Sequence, residues 1–379
     1  MSPSSGGAPR IVVVGAGAFG GWTALMLRRA GAEVTLIDAW GPGHARASSS
    51  GETRVIRGTY GDRAIYTHMA ARAMQLWQAH DEASQRRFFH PVGAIWIFSG
   101  NESFGEASVG PMRDAGLAVE WLDPDEARAR WPHINVEGVS RVLWEPGAGY
   151  ALARRACEHV VETLVAEGGH YVTAQVRPVE DLDGPLSALA LEDGTSVKAD
   201  GFVFACGPWL GTVLPDVVGG RVRPSRQESF YFGTPAGDAR WLPPDMPVWL
   251  DYGDRMYYGI PGNANRGFKV ADDTYGATFD PTHGDRAHTP EMLAEARTFL
   301  RRRFPALADA PLLGSEVCQY ELTSDSHFLV DRHPHAGNAW IVGGGSGHGF
   351  KMGPAIGEYV TRLVLEQGES APEFRLGNR

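Results

Sequence analysis

The chain is poor in cysteine: Cys157, Cys206 and Cys318 are the only three in 379 residues, an odd number with no close spacing. That excludes a disulfide framework and gives no metal-ligand pattern, so no metal is expected and any special cysteine is special by its own chemistry. Long apolar runs are missing too. No stretch approaches the ~18 to 20 residues needed to span a bilayer, and the opening MSPSSGGAPR has no apolar signal core, so the reading is a soluble, cytoplasmic protein without a membrane partner. Positive charge is in deficit. With 35 Lys and Arg against 45 Asp and Glu the net charge is -10, which repels nucleic acid and anionic membrane at long range. Repeats, low-complexity tracts and coiled-coil heptads are absent, and only the first nine or so residues read as irregular chain.

What is present is an ordinary globular composition, 43% hydrophobic and 21% charged, in a chain long enough for two lobes sharing one folded body. Ile11 to Val14 form an apolar, β-branched run suited to a strand buried on both faces, and GAGAFG follows at once. Gly15, Gly17 and Gly20 fit G-x-G-x-x-G: a tight turn, close backbone approach to a pyrophosphate, and close packing of helix on strand. The following helix aims its first N–H groups at the phosphates. Its Phe19, Trp22, Leu25 and Met26 recur at helical spacing, and Gly31 supplies a stop. EVTLID is a second strand ending at Asp38, 23 positions after Gly15 (38 - 15), where a carboxylate can take the ribose hydroxyls of an adenosine. The motif does not separate NAD from FAD.

Downstream, HYVTAQVRPVEDL, LSALALEDG and SVKADGFVFACGPWL read as strands and turns of a returning nucleotide-domain segment, with Val176 a backbone contact for the adenine. Between and after them lie short aromatic strands such as VGAIWIFSG, MPVWLDYG, RMYYGIPG and GFKVADD, suited to a large sheet over a ligand. The fold class expected is α/β (α+β): a Rossmann-like dinucleotide domain over residues 1–90, 150–220 and 318–379, interleaved with a mixed or antiparallel-sheet substrate domain over 91–149 and 221–317.

GAGAFG with LIDAWGPGHARASSSGETRVIRGTYG, then YYGIPGNANRGFKV, VCQYELTSDSHFLVDRHP and SGHGFKMGPAIGE, occur in an order and spacing that resemble the monomeric sarcosine oxidase family of flavin-dependent amine oxidases. That family also includes N-methyltryptophan, pipecolate and fructosyl-amino-acid oxidases. The resemblance implies FAD held by Gly15, Gly17, Ala18, Phe19, Gly20, Asp38, Ser50, Thr53, Arg54, Val176, Gly207, Gly347, Gly349, Phe350 and Lys351, with Cys318 joined to the flavin 8α-methyl carbon by a thioether. It implies that Arg54 lies against the flavin ring and that Arg57 and Lys351 hold a substrate carboxylate, a task for which a guanidinium fork is well shaped. Were GETRVIR helical, Arg54 and Arg57 would share one face. Lys269 would speed the reaction of reduced flavin with oxygen, while Tyr258 and Tyr320 would wall the substrate side.

One position departs from the family. Where sarcosine oxidases carry a histidine soon after the lysine, this chain has Asp273, next to Asp272, which makes sarcosine doubtful as substrate; KVADD looks more like the fructosyl-amino-acid branch, whereas SSGETRVIR looks more like sarcosine oxidase. Ser49 and Ser50 replace a histidine pair. No dedicated general base stands out, and His348 reads as a flavin-side packing or hydrogen-bonding residue. The expected function is an FAD-dependent oxidase of a secondary amine or N-substituted amino acid, with O2 reduced to hydrogen peroxide, working as a monomer or small homo-oligomer. Alternatives are a deglycating oxidase, a dehydrogenase using another acceptor, a non-catalytic FAD-binding module, and an NAD(P) enzyme, which leaves Cys318 unexplained.

Overall fold

A computed structural model describes residues 7–253, 255–366 and 368–378; the irregular opening read from the sequence lies largely outside them. Strand Arg10–Val14 alternates between two cores: Ile11 and Val13 pack with Trp22 and Leu25, while Val12 and Val14 pack with Phe202 and Phe204. A strand with apolar residues on both faces belongs in the middle of a sheet covered on both sides. It lies between Glu33–Asp38 and Gly201–Phe204 in a six-stranded sheet flanked further by His170–Thr173 and by Ala336–Gly343 with Leu329–His333. All neighbours are parallel except the Leu329–His333 edge, which runs antiparallel to its partner. Helix Ala18–Arg29 covers the Trp22 face and ends just before Gly31, whose φ of +94° lies in the left-handed region that favours glycine.

The aromatic strands form an eight-stranded sheet, in the order Leu312–Leu322, Arg223–Phe232, Phe268–Asp272, Tyr257–Ile260, Val248–Tyr252, Ala94–Phe98, Arg141–Glu145 and Glu120–Leu122. Neighbours are antiparallel apart from Val248–Tyr252 beside Ala94–Phe98. Trp249 stacks between Phe268 and Phe299 at centroid distances of 5.7 and 5.3 Å, tying helix Pro290–Arg303 to the sheet. Buried Arg303 on that helix pairs with buried Asp251, so neither charge is left alone in the core. Strand Leu312–Leu322 pairs along its length with Arg223–Phe232, Gln227 standing opposite Cys318. The boundary read at residue 318 therefore falls inside a strand of the eight-stranded sheet.

Arg54 lies on a strand, Thr53–Ile56, that pairs with Gly149–Leu152 in a small three-stranded sheet. The two arginines of GETRVIR thus do not share a helical face: Arg54 is in the strand and Arg57 lies just past its end at Ile56. Among the described residues no helix is long and apolar enough to cross a membrane.

Candidate active site

A long cavity follows the C-terminal ends of the parallel strands, where open α/β sheets place ligands. Ala174, Val176 and Glu192 line one end, Gly15, Gly17, Ala18 and Phe19 the middle, and Arg54, Tyr320, Gly347, Gly349 and Phe350 the other. Gly15 has φ +105°, and a Cβ there would sit 2.2 Å from the Ala205 carbonyl oxygen; one on Gly20 would sit 1.9 Å from the Gly15 carbonyl oxygen. Gly20 is outside the lining and serves the close packing of helix on strand. Gly15→Ala is expected to cost about 2–4 kcal/mol from strain and overlap together. A lowered Tm with loss of bound flavin absorbance checks it.

Asp38 reaches the cavity, but three of its roughly four lone-pair directions are taken by its own loops. Ala16 N donates to Oδ2 at 2.8 Å, and Trp40 N and Gly41 N donate to Oδ1 at 2.9 and 2.8 Å. Trp40 packs on Trp209 at 4.7 Å and on His44 at 5.2 Å, an aromatic wall that the sequence reading missed because isolated tryptophans in loops carry no spacing signal. Ser50 and Thr53 are buried outside the lining, and the serines that reach it are Ser48 and Ser49. Ser49 Oγ accepts from Ala18 N at 2.9 Å, in the first turn of the glycine-motif helix. Gly207 lines the cavity at φ +55°, with Glu321 Oε1 3.2 Å from where its Cβ would be.

The three thiols differ in setting. Burial pushes Cys157 up to about 12 and raises Cys206 as well, so neither supplies a thiolate near neutrality. Half-buried Cys318 instead receives a hydrogen bond from Arg54 Nη2 at 3.2 Å. Lys269, on strand Phe268–Asp272, which Arg223–Phe232 separates from the Cys318 strand, is buried close to both Arg54 and Cys318. Its Nζ donates to Thr53 O at 3.3 Å and lies 5.8 and 5.9 Å from the Tyr231 and Tyr258 ring centroids. Burial, then the Arg54 charge, lowers its pKa to about 8.

A second cluster adjoins the first through Tyr320. Tyr320 O–H donates to Asp273 Oδ1 at 2.7 Å and meets the Tyr258 hydroxyl at 3.5 Å. Burial raises Asp273 to about 6, against the pull of Tyr320, Arg57 and Lys351. The acid pair divides: Asp272 is buried in an ion pair with Arg255 and accepts from Thr274 N at 2.8 Å, so Asp273 alone faces this cluster. The Arg57 guanidinium lies 4.6 Å from the Tyr60 ring centroid and 4.9 Å from that of Trp96, and donates to Thr59 O. Beneath it the fully buried Glu145 accepts from Gly58 N and, at 2.7 Å, from Thr59 Oγ1. Lys351 is buried, its Nζ donating to Tyr60 O–H at 3.0 Å and to His348 O at 2.8 Å. Tyr60 and Glu145 were not singled out from the sequence; each is an ordinary residue whose burial beside charge shows only in three dimensions.

The glycine cradle, the acid at the second strand end and the cationic, aromatic far end fit a flavin dinucleotide along the cavity. Comparison with known proteins agrees. A family model described as FAD dependent oxidoreductase matches residues 10–363. The monomeric sarcosine oxidase of Bacillus sp. (strain B-0618) is 30% identical over 363 residues, covering 94% of this chain and 92% of that protein. An N-methyl-L-tryptophan oxidase of Yersinia pestis (strain Pestoides F) is 27% identical over 363 residues, covering 94% and 95%. Among solved structures, L-proline dehydrogenase from P. horikoshii superposes with a TM-score of 0.82 at 22% identity over 97% of this chain and 96% of that one. The fructosyl amine:oxygen oxidoreductase Amadoriase I of Aspergillus fumigatus does so with 0.82 at 20% over 99% and 91%. At those identities the two structures speak to the fold. The family match spans both sheets and every residue of the two clusters, and on that basis the chain belongs to the FAD dependent oxidoreductase family.

Proposed function

We propose that this enzyme oxidises the C–N bond of an N-substituted amino acid to an imine, which water hydrolyses, and passes the electrons to O2, giving hydrogen peroxide. Bound FAD supplies the two-electron acceptor. The observation that carries the reading is the placing of Arg57 and Lys351 beside Tyr320 and Asp273, next to the Arg54 end of the cavity. Arg57, its planar face held by Tyr60 and Trp96, keeps its fork for a carboxylate, with Lys351 as a second nitrogen. Tyr258 and Tyr320 wall the substrate, and Lys269 provides a buried charge for the reaction with O2. The names of the sarcosine and N-methyl-L-tryptophan oxidases support the substrate class. Three free thiols suit the reducing cytoplasm, where we place the protein. An oxygen electrode tests the reading: stoichiometric peroxide with N-methyl amino acids supports it, and turnover only with an artificial acceptor points to a dehydrogenase.

Covalent attachment through Cys318 is part of this proposal, supported by the Arg54 contact and by the unreactive settings of the other two thiols. Acid-precipitated wild type should keep its yellow colour in the pellet, and Cys318→Ala should release it to the supernatant. Colour released from both would remove the thioether.

A second reading, oxidation of glycated amino acids, draws on Asp273. Its Oδ1 takes Tyr320 and its Oδ2 has no hydrogen-bond partner among the described residues, which leaves an acceptor for a sugar hydroxyl.

A further inference from the structure

Alternation along strand Leu312–Leu322 sends Glu316, Cys318 and Tyr320 to one face of the eight-stranded sheet. Residues opposite one another on paired strands share a face, so the register adds Tyr231, two positions beyond the partner of Glu316, and then Lys269, which stands opposite Tyr231. Glu316 puts a half-buried carboxylate on that face, and Tyr231 O–H fixes it by donating to Oε2 at 2.9 Å. The same Tyr231 ring has its centroid 5.8 Å from Lys269 Nζ. Glu316 also closes on Arg54. A Cβ on Gly51 would sit 2.6 Å from Glu316 Oε2 and 3.0 Å from Arg54 Nη1, so the two groups crowd one point. Among the described residues no ion pair joins them: Arg54 donates instead to Thr53 O at 2.9 Å, Ser48 O at 3.1 Å and Cys318 Sγ at 3.2 Å.

We propose that Glu316 is a positioning residue for the oxygen step: its carboxylate, held by Tyr231, keeps Lys269 an ammonium against the charge of Arg54. The assignment rests on the reading above that Lys269 serves the reaction with O2. Two cations meet at this corner, and like charges close together favour loss of a proton from the weaker of them, which is the lysine. A carboxylate on the same face offsets that tendency.

Four strands bring charged or titratable groups against Lys269. Thr53–Ile56 brings Arg54, with Glu52 just before it; Arg223–Phe232 brings Tyr231; Tyr257–Ile260 brings Tyr258; Leu312–Leu322 brings Glu316 and Cys318. Burial and then Arg54 lower Lys269 to about 8, while Glu316, then Cys318, then Glu52 oppose them. Of these three, Glu52 is paired with Arg266 at 2.5 Å, and a Cys318 sulfur joined to flavin as a thioether carries no charge. Burial raises Tyr258 to about 12 and Tyr231 well above the usual tyrosine range, so neither ring supplies an anion near neutrality. Glu316 is left as the standing counter-charge.

The chain has three lysines, Lys198, Lys269 and Lys351, so holoenzyme carrying carbon-13 at lysine Cε gives a spectrum in which Lys269 is identified by its absence from Lys269→Met. Its resonance, followed from about pH 6 to about pH 10, reads the ammonium directly. Glu316→Gln should move the midpoint down by about 1 pH unit, and Glu316→Asp, which keeps the charge, should stay close to wild type. The second-order rate of reduced enzyme with O2 should follow: Glu316→Gln equal to wild type near pH 6 and about fivefold slower near pH 8, where its ammonium is mostly lost. If Glu316→Gln does not hold FAD, Glu316→Asn is compared with Glu316→Asp, and the same shift is expected between them. A midpoint that stays in place or rises in Glu316→Gln, or an oxygen rate lowered equally at every pH, overturns the role of Glu316. A midpoint that falls while the oxygen rate of wild type ignores the state of Lys269 overturns the reading of Lys269 instead, and the role of Glu316 in that step falls with it.

Discussion

Lys269→Met is expected to slow reoxidation of the reduced enzyme by O2 about 10²–10³-fold while leaving its reduction by substrate nearly unchanged. A unit positive charge about 4 Å from a developing anion, at an effective dielectric near 20, contributes about 4 kcal/mol, of which roughly 3–4 appears as rate. Lys269 is placed for this: buried, one strand removed from the Cys318 strand in the same sheet, and held by the Thr53 carbonyl at 3.3 Å. The sign of the pH effect follows from its pKa, lowered to about 8 by burial and by Arg54. Below that the ammonium is present, and above it the charge is lost. The wild-type second-order rate with O2 should therefore fall as pH rises through about 8, and the Met variant should be flat. Stopped-flow mixing of reduced enzyme with oxygenated buffer reads both. Equal rates in the two proteins, or a wild-type rate rising through that range, would remove Lys269 from the oxygen step.

Arg57→Met should lower kcat/KM for amino-acid substrates by about 10²–10³-fold, because losing one partner of a buried, hydrogen-bonded charge pair costs about 2–5 kcal/mol. Met keeps much of the stem volume over Trp96 and Tyr60, so the loss reports the fork more than the packing. Most of the change should fall in KM, since the carboxylate is held equally in the ground and transition states. Arg57→Lys should recover only part of it, for an ammonium cannot reproduce the parallel pair of hydrogen bonds. The discriminating substrate is a secondary amine without a carboxylate, for which wild type and Arg57→Met should be nearly equal. A similar loss on both substrates would mean that Arg57 supports the fold of the Thr59 turn and not the ligand.

The sequence already carried the parts of this molecule whose geometry is local. Ile11–Val14, the three glycines and Asp38 fall within one strand, turn, helix and strand, and the fold forms those elements at that spacing, with Gly15 and Gly20 at close backbone contacts and Asp38 closing on Ala16 N. The aromatic strands likewise announce a second sheet, because alternation within a strand is readable without its partners. Quantities that depend on distant chain segments were not legible. GETRVIR carries no period that separates helix from strand over four residues, and its pairing with Gly149–Leu152 decides the matter. KVADD shows two equivalent acids, and only the position of Arg255, on the turn before the neighbouring strand, turns Asp272 inward to an ion pair and leaves Asp273 for the site. Glu145 lies 88 positions from Arg57 (145 - 57), yet folding buries it beneath that residue, a relation no spacing encodes.

Anaerobic titration of the purified yellow protein with N-methyl, cyclic and glycated amino acids, followed in the visible spectrum and ended by admitting air, tests the central claim most directly. Bleaching by a carboxylate-bearing secondary amine, with colour restored by air as one equivalent of peroxide appears, is the result expected. Flavin that no such amine bleaches, or reduced flavin that air leaves colourless, would contradict it.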